Sequence, residues 1–379
     1  MMTPYLGIYA VQLGANPAEM GWLSALQNLS ANTMQIVWGV AMDRIARPIL
    51  FVLLSGILAG IFWLPLLAVS TPQQIIIVAV IQGLILSMEA PSSLMVANDL
   101  VSRSKRSQGI TEFHAAQMIG VIPATLLAGY LMSQTRSSLR GMYLIPIIAA
   151  CVFRVGSSLL LFPMMRRERH EAVRSTESLL SNISVILKND NLKILYTITL
   201  FQGFFLSIAW PLFPIANVVV TGNNMFLIAM LSTTSTVVSS LTRPYFGKLA
   251  DRLGKKPLII LGRTGIALAT LVYAFATEPW HLILANIFIG IFIMADSIVA
   301  AYILDNTTPG AMGTSLSFYS LVMGIATFFG SLSGGYIVNG LINIGFEQSH
   351  ALSMGFLLST AGRILTGIAC AKLKEEKTS

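Results

Sequence analysis

Long apolar runs dominate this sequence and constrain its fold more than any other feature. Most of them are about 20 residues long, and only 11% of the 379 residues are charged. A helix of about 20 residues crosses the hydrocarbon core of a bilayer, and only helices and closed barrels satisfy their backbone polar groups there. The runs lack the alternating pattern of membrane barrel strands. The sequence therefore predicts an all-α membrane protein.

The runs predict eleven full spans and one partial span, which we number in chain order. Span 1 is the partial one, because residues 1–14 are too few to cross a bilayer. A polar connector over residues 166–190 divides the chain into an N-terminal bundle, residues 1–165, and a C-terminal bundle, residues 191–379. The full spans cover residues 20–41, 48–69, 73–98, 110–132, 141–163, 192–219, 224–246, 257–277, 280–304, 312–340 and 347–370.

A hydrophilic turn occurs twice, 208 residues apart. Residues 247–257 read G-K-L-A-D-R-L-G-K-K-P, and residues 39–48 read G-V-A-M-D-R-I-A-R-P. The two halves therefore read as copies of one unit. An offset of 207 residues lays residues 3–7 on residues 210–214 in the middle of span 7. We therefore expect that half of span 1 is missing, through a misplaced start or a truncated gene. A natural eleven-and-a-half-span protein is the alternative.

Positive charges are distributed unevenly between the two ends of the spans. Of the 24 lysines and arginines, 18 lie in the turns, the connector, the tail and other loops on one side, and four lie within spans. Only Arg136 and Arg140 lie on the opposite side. Because positive residues accumulate in cytoplasmic loops, the sequence predicts a multi-pass plasma-membrane protein with cytoplasmic turns and, in its full-length form, cytoplasmic termini. This distribution argues against a nucleic-acid partner.

The turns also carry a family pattern. They fit G-x-x-x-D-[RK]-x-[GA]-[RK]-[RK]-P between spans 2 and 3 and between spans 8 and 9, and the first copy is one basic residue short. With six plus six spans and a polar connector, the chain resembles the major facilitator superfamily of secondary transporters. The resemblance implies two six-helix bundles related by pseudo-two-fold symmetry, which transport by alternating access. We expect a monomer without enzymatic activity, cofactor or metal ion, surrounded by membrane lipids.

The resemblance further implies that the turns latch one conformation of the moving bundles. A purely topological anchor is the alternative. The two glycines would let a helix end approach its neighbour closely, and the acids would accept hydrogen bonds from arginine or a helix N-terminus. The latch residues are Gly39, Asp43, Arg44, Arg47, Gly247, Asp251, Arg252, Lys255 and Lys256.

Two acids lie deep within spans and occupy matching positions in the two halves. Glu89 in span 4 and Asp296 in span 10 are 207 residues apart. Ionisable groups within a membrane are costly and are usually functional or paired. The two acids could carry protons or attract a cationic substrate from a central cavity. Alternatively, each pairs with a buried arginine, such as Arg154 or Arg363, and only stabilises its bundle.

Other candidates are polar or aromatic residues in the spans. Prolines interrupt spans 1 and 7 at matching places, and interrupted helices at corresponding positions point to a binding site. Residues that could line a cavity are Gln27, Asn28, Tyr5, Tyr9, Gln202 and Trp210, with interhelical packing as the alternative. We assign five more residues to a charge network around the turns and span ends: Asp99, Arg154, Arg243, Arg263 and Arg363.

These features together predict a secondary transporter of a small organic solute, with protons as a candidate coupling ion. Export of drug-like or metabolic compounds is favoured over uptake of a sugar or another metabolite, because the predicted cavity helices are mostly apolar. Ala79 stands where many family members carry an arginine tied to proton coupling, which weakens a drug–proton antiport hypothesis. A transport-inactive membrane sensor is the alternative from another class.

Overall fold

The computed structural model describes most of the chain, and every regular element in the described part is a helix, which confirms the all-α prediction. Asp99 lies outside the described residues, and so do the side chains of Asp43, Arg44 and Asp251. The described residues are 2–45, 47–89, 92, 96, 106–135, 138–165, 189–307 and 312–374.

The helices form two compact units, one comprising Met1–Ala15 and Leu26–Thr176 and the other comprising Asn16–Ala25 and Glu177–Ser379. In the first half of the chain, proline stands at the first turn of several helices, where its fixed φ suits the helix and its missing N–H is not needed. These helices are α1 (Thr3–Gln12), α2 (Pro17–Ile45), α3 (Pro48–Ile61), α4 (Pro72–Leu86), α5 (Arg106–Gln134), α6 (Leu139–Leu159) and the short α7 (Phe162–Met165).

The described residues of the second half form nine further α-helices. Asn189 and Asn224 cap two of them by accepting hydrogen bonds from backbone N–H groups of the first turn. The helices are α8 (Asp190–Ile208), α9 (Leu212–Thr221), α10 (Met225–Leu253), α11 (Lys255–Gly265), α12 (Ala267–Ala274), α13 (Pro279–Phe292), α14 (Ala295–Asp305), α15 (Met312–Asn343) and α16 (Gln348–Ala369).

Eight described segments are long and apolar enough to cross a membrane. They coincide with predicted spans 3, 6 and 7 to 12, and α4 is a shorter apolar helix within predicted span 4. The segments are Pro48–Leu67, Leu139–Leu159, Asp190–Thr221, Met225–Ala250, Lys255–Ala274, Pro279–Asp305, Thr314–Asn343 and Gln348–Lys372.

Several spans are interrupted helices. Span 7 breaks between α8 and α9 around Trp210 and Pro211, as the prolines predict. Span 9 breaks at Ile266, and span 10 breaks at Ile293 and Met294, two interruptions that no proline marks. Because the last carbonyls of a helix have no intrahelical donor, each break presents polar backbone groups inside an apolar segment.

The two units repeat one close helix approach. A Cβ atom built on Gly83 of span 4 would lie 3.0 Å from the Gln27 carbonyl oxygen of span 2. A Cβ atom built on Gly290 of span 10 would lie 2.7 Å from the Ser235 carbonyl oxygen of span 8. The duplicated glycines therefore let equivalent helix pairs pack backbone against backbone in each unit.

Candidate functional site

A small pocket lies in the second unit, among spans 7, 9, 10 and 11. It brings together three residues that the sequence singled out separately, Gln202, Arg263 and Asp296. The rest of its wall is mainly apolar and includes Leu206, Ile266, Phe292, Ile293 and Met323. A concave, mostly apolar site with a few convergent polar groups is the usual form of a small-molecule site.

Small residues on span 9 determine how closely the pocket walls approach one another. A Cβ atom built on Gly262 would overlap the Cβ atom of Ala295, and one built on Gly265 would overlap the Phe292 ring. Span 9 therefore packs directly against the break in span 10. This packing places Arg263, which follows Gly262, beside Asp296, which follows Ala295.

Arg263 is buried, with 4% of its surface exposed. Its Nη2 donates to Thr199 Oγ1 at 3.0 Å, and its Nη1 lies 3.7 Å from Cys370 Sγ. Tyr319 of span 11 also interacts with the guanidinium. The sequence assigned Arg263 to a network around the second turn, but these described partners place it in the pocket.

Asp296 lies in the first turn of α14, directly after the break in span 10. Arg263 and Arg243 both lie within electrostatic reach of its carboxylate. Asp296 is exposed and lines the pocket, although surrounding protein atoms enclose the carboxylate closely. In this position the Asp296 carboxylate can exchange a proton with water or solute in the pocket while it interacts with the buried Arg263.

Gln202 is buried in span 7 and lines the same pocket. Its Oε1 accepts a hydrogen bond from Thr366 Oγ1 of span 12. Trp210 lies in the break that follows, and its backbone N–H donates to the Ser207 carbonyl oxygen at 3.1 Å. Of these two predicted cavity residues, Gln202 is the one that lines the pocket.

Arg363 of span 12 is almost completely buried, with 2% of its surface exposed. It donates to the carbonyl oxygens of Leu206 at 2.7 Å and Ile266 at 3.2 Å. Both carbonyls belong to helix ends at breaks, where the helix dipole is negative, and both residues line the pocket. Among the described residues no carboxylate pairs with Arg363, so it is a cap for two interrupted helices rather than a member of a charge network.

In the first unit, Glu89 forms an ion pair with Arg154 of span 6. The two side chains are 29% and 35% exposed. This is the alternative arrangement that the sequence left open, in which an acid of span 4 pairs with an arginine. Glu89 therefore already has a charged partner.

Tyr5 and Tyr9 are fully buried packing residues in this structure. The Tyr5 hydroxyl donates to the Thr125 carbonyl oxygen at 2.8 Å, and the Tyr9 hydroxyl donates to the Leu66 carbonyl oxygen at 3.3 Å. Tyr9 also packs on Tyr143, with ring centroids 4.4 Å apart. A buried tyrosine hydroxyl needs such a partner, so these hydroxyls hold the unit together instead of facing a cavity.

Gln27 and Asn28 are half-buried in α2. The Gln27 carbonyl oxygen accepts from Ser30 Oγ at 3.0 Å, and the Asn28 carbonyl oxygen accepts from Asn32 Nδ2 at 2.9 Å. Neither residue is among those that line the pocket of the second unit.

The second turn is attached to span 10 by an ion pair between Lys255 and Asp305. Arg252 of this turn and Arg47 of the first turn are exposed. A Cβ atom built on Gly39 or Gly247 would meet no described atom outside its own helix within 4 Å. The described residues therefore show no close helix approach that would require either glycine.

Sequence reasoning missed several residues of the pocket. Tyr319 and Phe292 gave no signal, because aromatic residues in apolar runs are usually packing residues. Thr199 was missed because a hydroxyl in a span usually bonds its own helix. The positions of Gly262 and Gly265, next to an arginine in an apolar run, could have indicated the close approach that creates the pocket.

One family model matches the chain twice. The model described as Major Facilitator Superfamily matches residues 1–208 and also residues 195–371. Together these ranges cover nearly the whole chain, and each of them covers about one half.

Several similar proteins have names that describe transport or resistance. Multidrug resistance protein MdtG of Citrobacter koseri is 24% identical over 379 residues, which cover 95% of this chain and 89% of that protein. Tetracycline resistance protein, class H, of Pasteurella multocida is 28% identical over 156 residues, which cover 39% of this chain and 38% of that protein. A probable peptide/nitrate transporter of Arabidopsis thaliana is 31% identical over 98 residues. That match covers 26% of this chain and 20% of the plant protein, so the chain spans well under half the length of the last two relatives.

The solved structure of the nucleoside transporter NupG resembles this chain with a TM-score of 0.73. The match covers 98% of this chain and 94% of NupG, at 14% sequence identity. At this identity the likeness concerns the fold alone.

Proposed function

The chain belongs to the major facilitator superfamily of membrane transporters, and we propose that it moves a small organic solute across the membrane with Asp296 as the group that carries the coupling proton. The observation that supports this most directly is the position of Asp296 on the pocket wall, beside Arg263. An acid within a span is costly unless it is paired or functional. Asp296 combines a cationic neighbour with access to the pocket, as reversible protonation requires.

Glu89 has a different role in this proposal. Its ion pair with Arg154 links spans 4 and 6 within the first unit, so Glu89 stabilises that unit and Asp296 carries the proton. Alternating access exposes the pocket to one side of the membrane and then to the other.

Export is the favoured direction. Two relatives, MdtG and the class H tetracycline protein, have names that describe drug resistance, and the mainly apolar wall of the pocket suits drug-like solutes. The substrate in this proposal is a small molecule, because the pocket is a narrow space among four spans of one unit.

The turns and both termini lie on the cytoplasmic side in this proposal, and the Lys255–Asp305 pair contributes to a latch there. Cysteine labelling of intact cells tests the orientation. A cysteine in place of Arg136 should react with an impermeant maleimide, and one in place of Lys255 should react only after permeabilisation. Reaction of both residues from the same side would overturn the orientation.

Flux measurements in proteoliposomes test the proposed function. Tetracycline, ethidium and benzoate serve as probes of different charge, each with and without an imposed pH gradient, and the movement of each probe into protein-free liposomes is subtracted. We expect at least one probe to move in a gradient-dependent way with the native protein. Asp296→Asn should abolish the gradient dependence, whereas Glu89→Gln should keep it, and so should Glu347→Gln, which replaces an exposed acid. Normal gradient-dependent flux in Asp296→Asn would overturn the role of Asp296, and lack of flux of every probe would favour a transport-inactive sensor.

A further inference from the structure

Positive charges outnumber negative charges along the described spans of the second unit. Away from the ends of these spans there are two buried arginines, Arg263 and Arg363, and one exposed arginine, Arg243, but a single carboxylate, that of Asp296. Charges in a low-dielectric interior act strongly on one another and on any ligand. The balance of charge around the pocket is therefore positive.

Arg263 contributes most directly to this balance, because it lines the pocket itself. Its described partners are the Thr199 hydroxyl, the Cys370 sulfur and the Tyr319 side chain. A guanidinium has five N–H donors in a planar fork that matches a carboxylate in two parallel hydrogen bonds. These partners engage only part of that donor capacity, and Asp296 is the carboxylate within reach.

Arg363 adds a second positive charge immediately behind the pocket wall. It donates to the carbonyl oxygens of Leu206 and Ile266, which are both residues of that wall. Its buried Nε has no hydrogen-bond partner among the described residues. Helix-end carbonyls carry only partial negative charge, so Arg363 keeps the potential in the pocket positive. A cationic ligand would be repelled, and an anionic one would be attracted.

The remaining wall determines the body of the ligand. Leu206, Ile266, Phe292, Ile293 and Met323 offer apolar and aromatic surface. We infer that the pocket binds a small organic acid, with its carboxylate on Arg263 and an apolar or aromatic body against this surface. The inference rests on the proposed function, since it takes this pocket as the transport site.

Protonation of Asp296 then becomes linked to substrate binding. The groups that face Asp296 are Arg263 of span 9, Arg243 of span 8 and Tyr319 of span 11, and Cys370 of span 12 lies beside Arg263. An ionised Asp296 competes with the substrate carboxylate for Arg263, whereas a protonated Asp296 releases Arg263. The proton and the organic anion therefore bind together and travel in the same direction. Net export then follows the outward gradient of the anion itself.

Binding to the purified protein tests this inference without any gradient or flux. The probe is benzoate, compared with the neutral benzamide and the cationic benzylammonium, which share its ring. We expect benzoate to bind about tenfold more tightly than benzamide, or about 1.4 kcal/mol, at mildly acidic pH, and less tightly at mildly alkaline pH. Benzylammonium should bind weakest. Equal binding of benzoate and benzamide, or preference for benzylammonium, would overturn the inference.

Single substitutions identify the residues responsible for the preference for benzoate and for its pH dependence. Arg263→Gln should reduce the preference for benzoate to about twofold or less, and the exposed arginine variant Arg140→Gln should retain it. Asp296→Asn keeps the buried Arg263 but has no ionisable acid beside it. This variant should bind benzoate equally well at mildly acidic and mildly alkaline pH. A preference that survives Arg263→Gln, or one that stays pH-dependent in Asp296→Asn, would contradict the inference.

The two proposals fail in distinguishable ways. Gradient-dependent flux without any preference for benzoate would leave the proposed function standing and overturn only the substrate class. Arginine-dependent benzoate binding without flux in proteoliposomes would support the substrate class and contradict the transport function.

Discussion

Arg154 of span 6 forms an ion pair with Glu89. Arg363 of span 12, the last span of the other half, donates instead to backbone carbonyls at two helix breaks. Asp296, which aligns with Glu89, has instead Arg263 and Arg243 as its cationic neighbours. The duplicated sequence therefore carries matching charges in both halves, but those charges have different partners. The first unit uses its pair to join two helices, and the second unit leaves its acid on a pocket wall.

The Glu89–Arg154 pair should contribute to the stability of the first unit. Both side chains are about one-third exposed, so we expect a coupling free energy of about 1 kcal/mol in a double-mutant cycle of Glu89→Gln and Arg154→Met. Each single variant should lower the unfolding temperature, and the double variant should lower it by less than the sum. Strict additivity of the two effects would show that the pair contributes nothing.

Arg363→Met should destabilise the second unit, because it leaves the Leu206 and Ile266 carbonyls without donors in a buried site. Each unsatisfied buried carbonyl costs about 1–3 kcal/mol. Removal of the buried charge offsets part of this cost, so we expect the free energy of unfolding to fall by about 2 kcal/mol. Cys370 is fully buried, so its reaction with a thiol-reactive dye on heating reports unfolding.

The exposed arginine variant Arg140→Met is the matched control for this experiment, and its unfolding temperature should not change. Arg363→Lys should fall between the native protein and Arg363→Met, since one ammonium can still reach a carbonyl. Native stability of Arg363→Met would rule out the capping role.

Gly262→Ala should disrupt the approach of span 9 to the break in span 10. Its added Cβ atom would overlap that of Ala295, and overpacking of this kind costs about 1–3 kcal/mol. The second-site change Ala295→Gly should restore most of the lost stability. Gly340→Ala is the control, because its Cβ atom would meet nothing within 4 Å. Failure of Ala295→Gly to rescue would refute the contact as the cause.

The Lys255–Asp305 pair is exposed enough that its loss should change stability little. The two side chains are 26% and 53% exposed, and surface pairs contribute about 0–1 kcal/mol. If the pair acts as a latch, Lys255→Gln should change the rate of solute flux while the unfolding temperature stays within error. The matched variant Lys248→Gln, an exposed lysine of the same turn, should leave the rate unchanged. Equal rates in the two variants would contradict the latch.

The membrane fold was predictable from the sequence because length and hydropathy determine which segments can span a bilayer. The described spans 3, 6 and 7 to 12 lie where the apolar runs place them. The break in span 7 was predictable for a similar reason, since Pro211 cannot continue the hydrogen-bonding pattern of a helix. The breaks at Ile266 and at Ile293 and Met294 carry no local signal, because packing between spans creates them.

The pocket was only partly predictable. Burial cost makes a charge within a span conspicuous, so the sequence singled out Asp296, Arg263 and Arg363. Their partners depend on how helices far apart in the sequence pack, and duplication suggested pairs that the second unit does not form. The contact of Arg363 with backbone carbonyls was not foreseeable, because carbonyl groups leave no mark in an amino-acid sequence.

The central claim is that Asp296 carries the coupling proton, and net proton movement during solute flux tests it most directly. A pH-sensitive dye trapped in proteoliposomes reports the protons when a transported probe that does not cross protein-free liposomes is added outside. We predict that the native protein moves protons together with the probe. Asp296→Asn should lose this proton movement but still exchange labelled for unlabelled probe across the membrane. Solute flux without proton movement in the native protein, or unchanged proton movement in Asp296→Asn, would contradict the claim.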